Sequence, residues 1–491
     1  MKLLLPGVAL ALALAGMVSA APRTEIVVGL QLEPPHLDPT AGAAAAIDEV
    51  VYANVFEGLT RIGPDGSVLP GLAESWEPAP DGLSWVFHLR EGATFHDGVA
   101  LTAEDVAFSL DRAMAPDSLN AQKGLFEGIN EVTAIDDTTV EIGLDRPKGD
   151  LLFNLAWGDA AIVSPASVET NRTNPVGTGP FRFEDWVQGD HVTLVKNPDY
   201  WGEPAKLDKV TFKFISDPTA AFAAMMAGDV DAFPVFPAPE NLPQFAADPR
   251  FRVIVGSTEG ETILAMNNAK APFDDIRVRE AIGHAIDRKA IIDGAMFGYG
   301  EPIGSHFPPH HPAYVDMTAA TSFDPALSRT MLAEAGLPEG FKARLVLPPP
   351  PYARRGGEIV AAQLRAVGIE TEIQNVEWAQ WLEQVFKNKD YDLTIVSHTE
   401  PMDIGIYARD DYYFGPADPV VKALMDGMET MTDPEDRAEV LAAVQRRVAD
   451  RATNVFLFQL PKTGVADARI QGLWENMPTQ ANDMTGVYWT E

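Results

Sequence analysis

At several places along the chain, apolar positions at helical spacing run directly into strand-like stretches, the unit from which wound α/β sheets are built. Two of these places are clean. Asp217 and Pro218 supply an N-cap and a first-turn proline, predicting a helix over 221–226, a stop at Gly228 and a short strand over 230–233. Farther on, Ile359, Val360, Leu364 and Val367 share a helical face over 358–367, and Gly368 stops that helix. Ile369, Thr371 and Ile373 then alternate as one face of a strand. These units lie far apart, so the pattern predicts two α/β lobes, each with its own sheet, rather than one continuous sheet. Between residues 60 and 165 the texture changes: short alternating runs at 85–89 and 139–144, separated by Asp-Gly and Asp-Asp turns, predict an inserted β-rich subdomain. Within it, Thr102 can cap a helix with Asp105 three residues on, and Val106, Leu110 and Ala113 share its packing face. The proline-rich stretches at 233–243 and 348–351 read as extended connectors.

The N-terminus adds an address. Met1 and Lys2 precede an apolar stretch over 3–16, and Val18, Ser19 and Ala20 follow as small residues, predicting a secretory signal peptide over 1–20 cut after Ala20. The apolar stretch is shorter than the ~20 residues a membrane span requires. No cysteine follows it, so the mature chain is expected to be a soluble periplasmic protein and not a lipoprotein. The lack of cysteine also removes disulfides, thiolate metal sites and cysteine nucleophiles. With 71 acidic against 37 basic residues the formal charge is −34, and no basic run interleaved with aromatics offsets it, which excludes a nucleic-acid partner.

No HExxH, GxGxxG, P-loop or GxSxG string occurs, and residues 176–180 read as a turn. His306, His310 and His311 cluster in a proline-rich loop without a carboxylate at helical ligand spacing, so they read as a solvated loop and no metal site is expected. No cofactor is expected either. Carboxylate pairs abound, and two carboxylates suffice for glycoside hydrolysis, so an exported hydrolase stands as the alternative of another class. A solvated acidic face accounts for most such pairs.

A long block is highly characteristic: Gly71-Leu72-Ala73-Glu74-Ser75-Trp76, residues 81–92, Phe95-His96-Asp97-Gly98 and residues 101–106. Further blocks follow the same order at residues 33–39, 175–181, 197–201, 272–279 and 285–288. Together they resemble the extracytoplasmic solute-binding proteins of family 5, the oligopeptide-, dipeptide- and nickel-binding components of bacterial ABC importers. The resemblance extends through the whole mature chain. It implies a two-lobed periplasmic binding protein fold of the type II, cluster C kind, with an extra β-rich subdomain on lobe 1 and a ligand cleft between the lobes. It also implies hinge closure on ligand, delivery to a membrane permease with its ATPase, a monomer, and no catalysis. On this reading lobe 1 comprises 21–59, 165–257 and 470–491, the inserted subdomain 60–164, and lobe 2 258–469.

The resemblance directs attention to one segment. In family members that bind peptides, a segment after a lobe 2 strand carries an aspartate that pairs with the peptide ammonium. Here residues 397–404 follow that strand, with Thr399 near the aspartate position, so Glu400 or Asp403 is expected to substitute. The competing reading has both carboxylates capping the next turn or facing water. His398 stands where the family often has tryptophan, and it either contacts ligand or makes a structural hydrogen bond. Trp378 and Trp381 are candidates for a cleft wall or a helix core, and Tyr407, Tyr412 and Tyr413 for a cleft that accepts mixed ligands. Tyr52 and Phe56 share a helical face near the first crossing, where packing is the alternative. Glu33 and His36 of the 33–39 block complete the candidate set. The expected solute is a peptide or peptide-like molecule, the alternative a non-peptide such as an opine-like conjugate, a glycoside or a metal chelate.

Overall fold

The computed structural model describes residues 23–42, 44–311, 313–399, 403–431 and 433–491. The signal peptide over 1–20 and Glu400 lie outside the described residues.

The two helix–strand units form from the signals that predict them. The helix Pro218–Ala227 begins where the Asp217 side chain accepts a hydrogen bond from Ala220 N, and it ends at Gly228 with a left-handed φ of 80°. The short strand after it is Ala232–Phe233. The second helix is Pro351–Ala366 and begins well before the expected position near 358. Pro350 is extended, and Pro351 occupies the first turn, where its fixed φ suits a helix and its missing N–H costs nothing. The strand Ile369–Asn375 follows.

One expectation is corrected. The two lobes do not have separate sheets: their strands form a single hydrogen-bonded ladder. Two long strands, Phe251–Met266 and Asn454–Asp467, run antiparallel through both lobes and carry the ladder across. On the lobe 1 side the ladder continues through Ala232–Phe233, Glu25–Leu30, Lys209–Phe214, His191–Lys196 and Phe181–Val187. On the lobe 2 side it continues through Leu393–His398, Phe341–Leu347 and Ile369–Asn375. A register shift between Ser257 and Glu261 marks where the first crossing strand passes from one lobe to the other. A long strand that serves both lobes leaves no helical period to read, and so it is invisible to a search for helix–strand units.

In lobe 2 the sheet is covered on both faces at its central strands, and Leu393–His398 carries buried residues on both. Leu345, Leu364, Leu393 and Ile395 enter one core, while Val346, Val396, Tyr407 and Phe456 enter another on the opposite face. In lobe 1, Ile26, Val28, Val192, Val210 and Phe212 form a third core.

The inserted subdomain is a four-stranded antiparallel sheet in the order Ala73–Pro78, Ser84–Leu89, Thr139–Leu144, Ile129–Asp136. The helix Ala103–Met114 lays Val106 and Leu110 on Phe87, Val140 and Ile142. Its first turn is fixed by the Asp105 carboxylate, which accepts from Thr102 N at 2.9 Å. Among the described residues no helix is long and apolar enough to cross a membrane.

Candidate functional site

A cavity of about 990 Å³ lies between the inserted subdomain and lobe 2. Trp76, Phe153 and Trp157 line it from one side, Ile404, Met425 and Leu441 from the other. At its rim the two sides touch. Gly149 N donates to Glu429 O at 3.0 Å, and Arg146 Nε lies 3.4 Å from Glu429 Oε2. The approach is so close that a Cβ on Gly149 would sit 1.8 Å from the Met431 carbonyl oxygen.

The helical turn Asp403–Ala408 forms part of this wall and has two sides. Ile404, Gly405 and Ala408 line the cavity. Asp403 instead enters a buried cluster of imidazoles and carboxylates. Its Oδ1 accepts from His306 Nε2 at 2.8 Å, and its Oδ2 lies 3.5 Å from His398 Nδ1. His306 Nδ1 is 3.2 Å from Glu261 Oε1, and His398 Nε2 is 3.1 Å from the Tyr413 hydroxyl. Tyr407 packs edge-on against the His306 ring at 5.4 Å.

Sheet register builds this cluster. Glu261 is the first residue of the first crossing strand after its register shift, and it pairs directly with His398 at the end of the neighbouring strand. A shift in register re-aims the side chain that follows it. Both residues are buried, Glu261 at 1% exposure and His398 at 8%, so their polar atoms must be partnered within the protein. Burial pushes the Asp403 carboxyl up, but the facing His306 and His398 imidazoles outweigh it and hold the group well below the usual carboxylate range. The Tyr407 and Tyr413 hydroxyls are raised by burial.

The structure brings together His398, Asp403, Tyr407 and Tyr413 from the predicted set. Tyr412 is buried beside them against Phe386 and Phe414. Both Asp403 oxygens face imidazoles, so the expected role of a carboxylate open to a ligand ammonium is corrected to an internal partner.

Trp381 is buried, and its Nε1 donates to Thr394 Oγ1 at 3.0 Å; Trp378 is 41% exposed and stacks edge-on against it. Tyr52 and Phe56 lie in the cores of lobe 1, where the Tyr52 hydroxyl donates to Ala156 O at 2.7 Å and accepts from Ile62 N at 3.2 Å. They pack, and they do not reach the cavity. Glu33 accepts from Trp186 Nε1 and Gly189 N, and His36 is buried, accepting from Asp38 N.

The solvated-loop reading of the three histidines is also corrected. His306 is 1% exposed, His310 Nε2 lies 2.9 Å from Glu259 Oε1, and His311 stacks on Phe307 at 4.1 Å. Burial lowers His311 to about 4. The carboxylates that meet these rings, Glu259 and Glu261 from a crossing strand and Asp403 from a later turn, are distant in sequence, which no local spacing could show. The available signal was Glu259 and Glu261 in a polar stretch flanked by the apolar residues 253–255 and 263–266.

The model of the bacterial extracellular solute-binding proteins, family 5, middle region, matches residues 67–418. The chain belongs to this family. Heme-binding protein A of Haemophilus influenzae is 32% identical over 343 residues, 64% of this chain and 62% of that protein. The dipeptide-binding protein of Escherichia coli is 31% identical over 353 residues, 65% of each chain. The chain thus spans slightly less than two thirds of the length of these relatives. The solved structure of the periplasmic binding protein AgaA from A. tumefaciens R10, in complex with agropinic acid, is 26% identical, with a TM-score of 0.75 over 95% of this chain and 99% of that one. The unliganded open form of the murein tripeptide-binding protein MppA has a TM-score of 0.83 at 23% identity, covering 96% of this chain and 98% of that one, and it shares the fold. Family 5 members are binding proteins, which accords with a site made of packing groups and paired ions.

Proposed function

We propose that this chain is the periplasmic solute-binding component of an ABC importer, taking up peptides or peptide-like solutes and passing them to a membrane permease by hinge closure. It works as a monomer with one solute per chain and makes no covalent bond. The observation that carries this reading is the cavity of about 990 Å³ walled by both sides of a molecule whose lobes are joined by two long crossing strands. A cavity of this size falls within the range of small-molecule sites, and bending at two strands is a hinge motion. In this reading lobe 1 comprises 21–59, 165–257 and 470–491, the inserted subdomain 60–164 and lobe 2 258–469. In the same reading the signal peptide over 1–20 directs export to the periplasm.

The names of the relatives span dipeptides, heme and agropinic acid, so the solute class rests on chemistry. Apolar and indole walls accept side chains of varied shape, which suits peptides read mainly through their backbone. The agropinic acid complex favours an opine-like conjugate as the second reading.

Native mass spectrometry of the mature protein from its own host, followed by identification of the released molecule, tests the reading. A ladder of short peptides is expected. A single non-peptide mass would replace the peptide and keep the transport role, whereas catalytic conversion of the bound solute would overturn both.

A further inference from the structure

We propose that Glu261, His398 and Asp403 form a binding site for a divalent transition-metal ion of the zinc type. This goes beyond solute binding and does not depend on it. One carboxylate oxygen from Glu261, one from Asp403 and one ring nitrogen of His398 all lie within 4.8 Å of one another. Ligand atoms at zinc distances of about 2.0–2.2 Å stand roughly 3.3–3.6 Å apart around a tetrahedron, so small side-chain rotations bring the three together. His398 Nδ1 and Asp403 Oδ2 are already 3.5 Å apart.

The donor set selects the ion. One imidazole and two carboxylates in a buried pocket suit zinc, whereas calcium takes about 6–8 oxygens and magnesium keeps its waters. Charge points the same way. Glu261 and His398 are buried and Asp403 is 13% exposed, so two carboxylates share a dry site faced by the His306 and His398 rings, and a dication adds to what those rings offset.

The surroundings orient each donor. Tyr413 holds His398 Nε2 at 3.1 Å, which turns Nδ1 toward Asp403. His306 Nε2 holds Asp403 Oδ1 at 2.8 Å, and its Nδ1 lies 3.2 Å from Glu261 Oε1. Metal ligands are typically fixed in this way by a second partner. Tyr413 and His306 are therefore positioning residues, and three protein donors leave a fourth position for water. The neighbouring pair of His310 and Glu259 has imidazole and carboxylate in contact but does not belong to the three-donor group. It serves as an internal control.

Equilibrium dialysis of the mature protein against zinc chloride, with magnesium and calcium chloride in parallel and metal counted by mass spectrometry, tests the site. One zinc per chain is expected, with neither hard ion retained. His398→Ala and Asp403→Asn should each weaken zinc binding at least 10-fold and Tyr413→Phe by about 10-fold, while His310→Ala leaves it unchanged. Zinc should also raise the melting temperature of the parent chain but not that of Glu261→Gln, a near-isosteric variant that covers the case in which His398→Ala does not fold. No stoichiometric zinc, zinc retained in full by His398→Ala and Asp403→Asn, or zinc lost only in His310→Ala would each overturn the proposal. Because the readout is metal content, failure here leaves the solute-binding reading standing.

Discussion

Tyr52 shows how a residue with binding chemistry is claimed by the fold. Its hydroxyl donates to Ala156 O and accepts from Ile62 N inside lobe 1, and Tyr52 does not line the cavity. Tyr52→Phe leaves a buried carbonyl and a buried amide without partners and should destabilise the protein by about 1–3 kcal/mol in urea unfolding, with solute affinity unchanged. A second prediction rests on Asp159, which burial raises to about 7. Because the folded state holds this proton more tightly than the unfolded chain does, the contribution of Asp159 to stability is greatest in acid. It falls as pH rises from the ordinary carboxylate value through 7. Urea unfolding at pH 4.5 and 7.5 should show this loss, and Asp159→Asn should reduce it. At this scale the sequence is informative where chemistry is local. His398, Asp403, Tyr407 and Tyr413 lie within one segment and were all singled out, whereas His306 stands 97 positions from Asp403 and nothing nearby announces the contact.

Among elements, local signals carried furthest where a cap or stop decides an end. Asp217, Gly228, Thr102 and Gly368 all stand where the chain changes structure, since each supplies a backbone partner or a conformation that other residues adopt at a cost. The start of the helix Pro351–Ala366 was missed because the same prolines suit an extended connector and a first helical turn. The crossing strands were missed because their pairing joins residues about 200 apart, as Ser257 with Pro461. Gly340 tests an element boundary directly. It has a φ of 73°, and a Cβ there would lie 1.8 Å from the Gly368 carbonyl oxygen, where two parallel strands begin. Gly340→Ala should lower stability by about 1–3 kcal/mol in thermal or urea unfolding, through strain and forced separation of the two backbones.

For the whole molecule, the blocks quoted from the sequence carried the two-lobed architecture and the inserted subdomain, but not the continuous ladder or the cavity. Those depend on how distant surfaces meet. Gly149 closes the rim of the cavity, where no side chain fits against Met431. Gly149→Val should part the rim, giving a larger radius of gyration in X-ray scattering and weaker solute binding, with each lobe still folded.

The central claim is that solute is held in the cavity beside the segment Asp403–Ala408. A Cβ on Gly405 would meet only Met425 Cε, at 4.0 Å, so a large side chain can enter the cavity without disturbing the fold. The most direct measurement is calorimetric titration of the identified solute into the parent chain and Gly405→Trp, with melting temperatures recorded for both. An affinity at least 10-fold lower in Gly405→Trp at an unchanged melting temperature is the predicted result. Equal affinity in the two proteins would place the solute elsewhere and contradict the account.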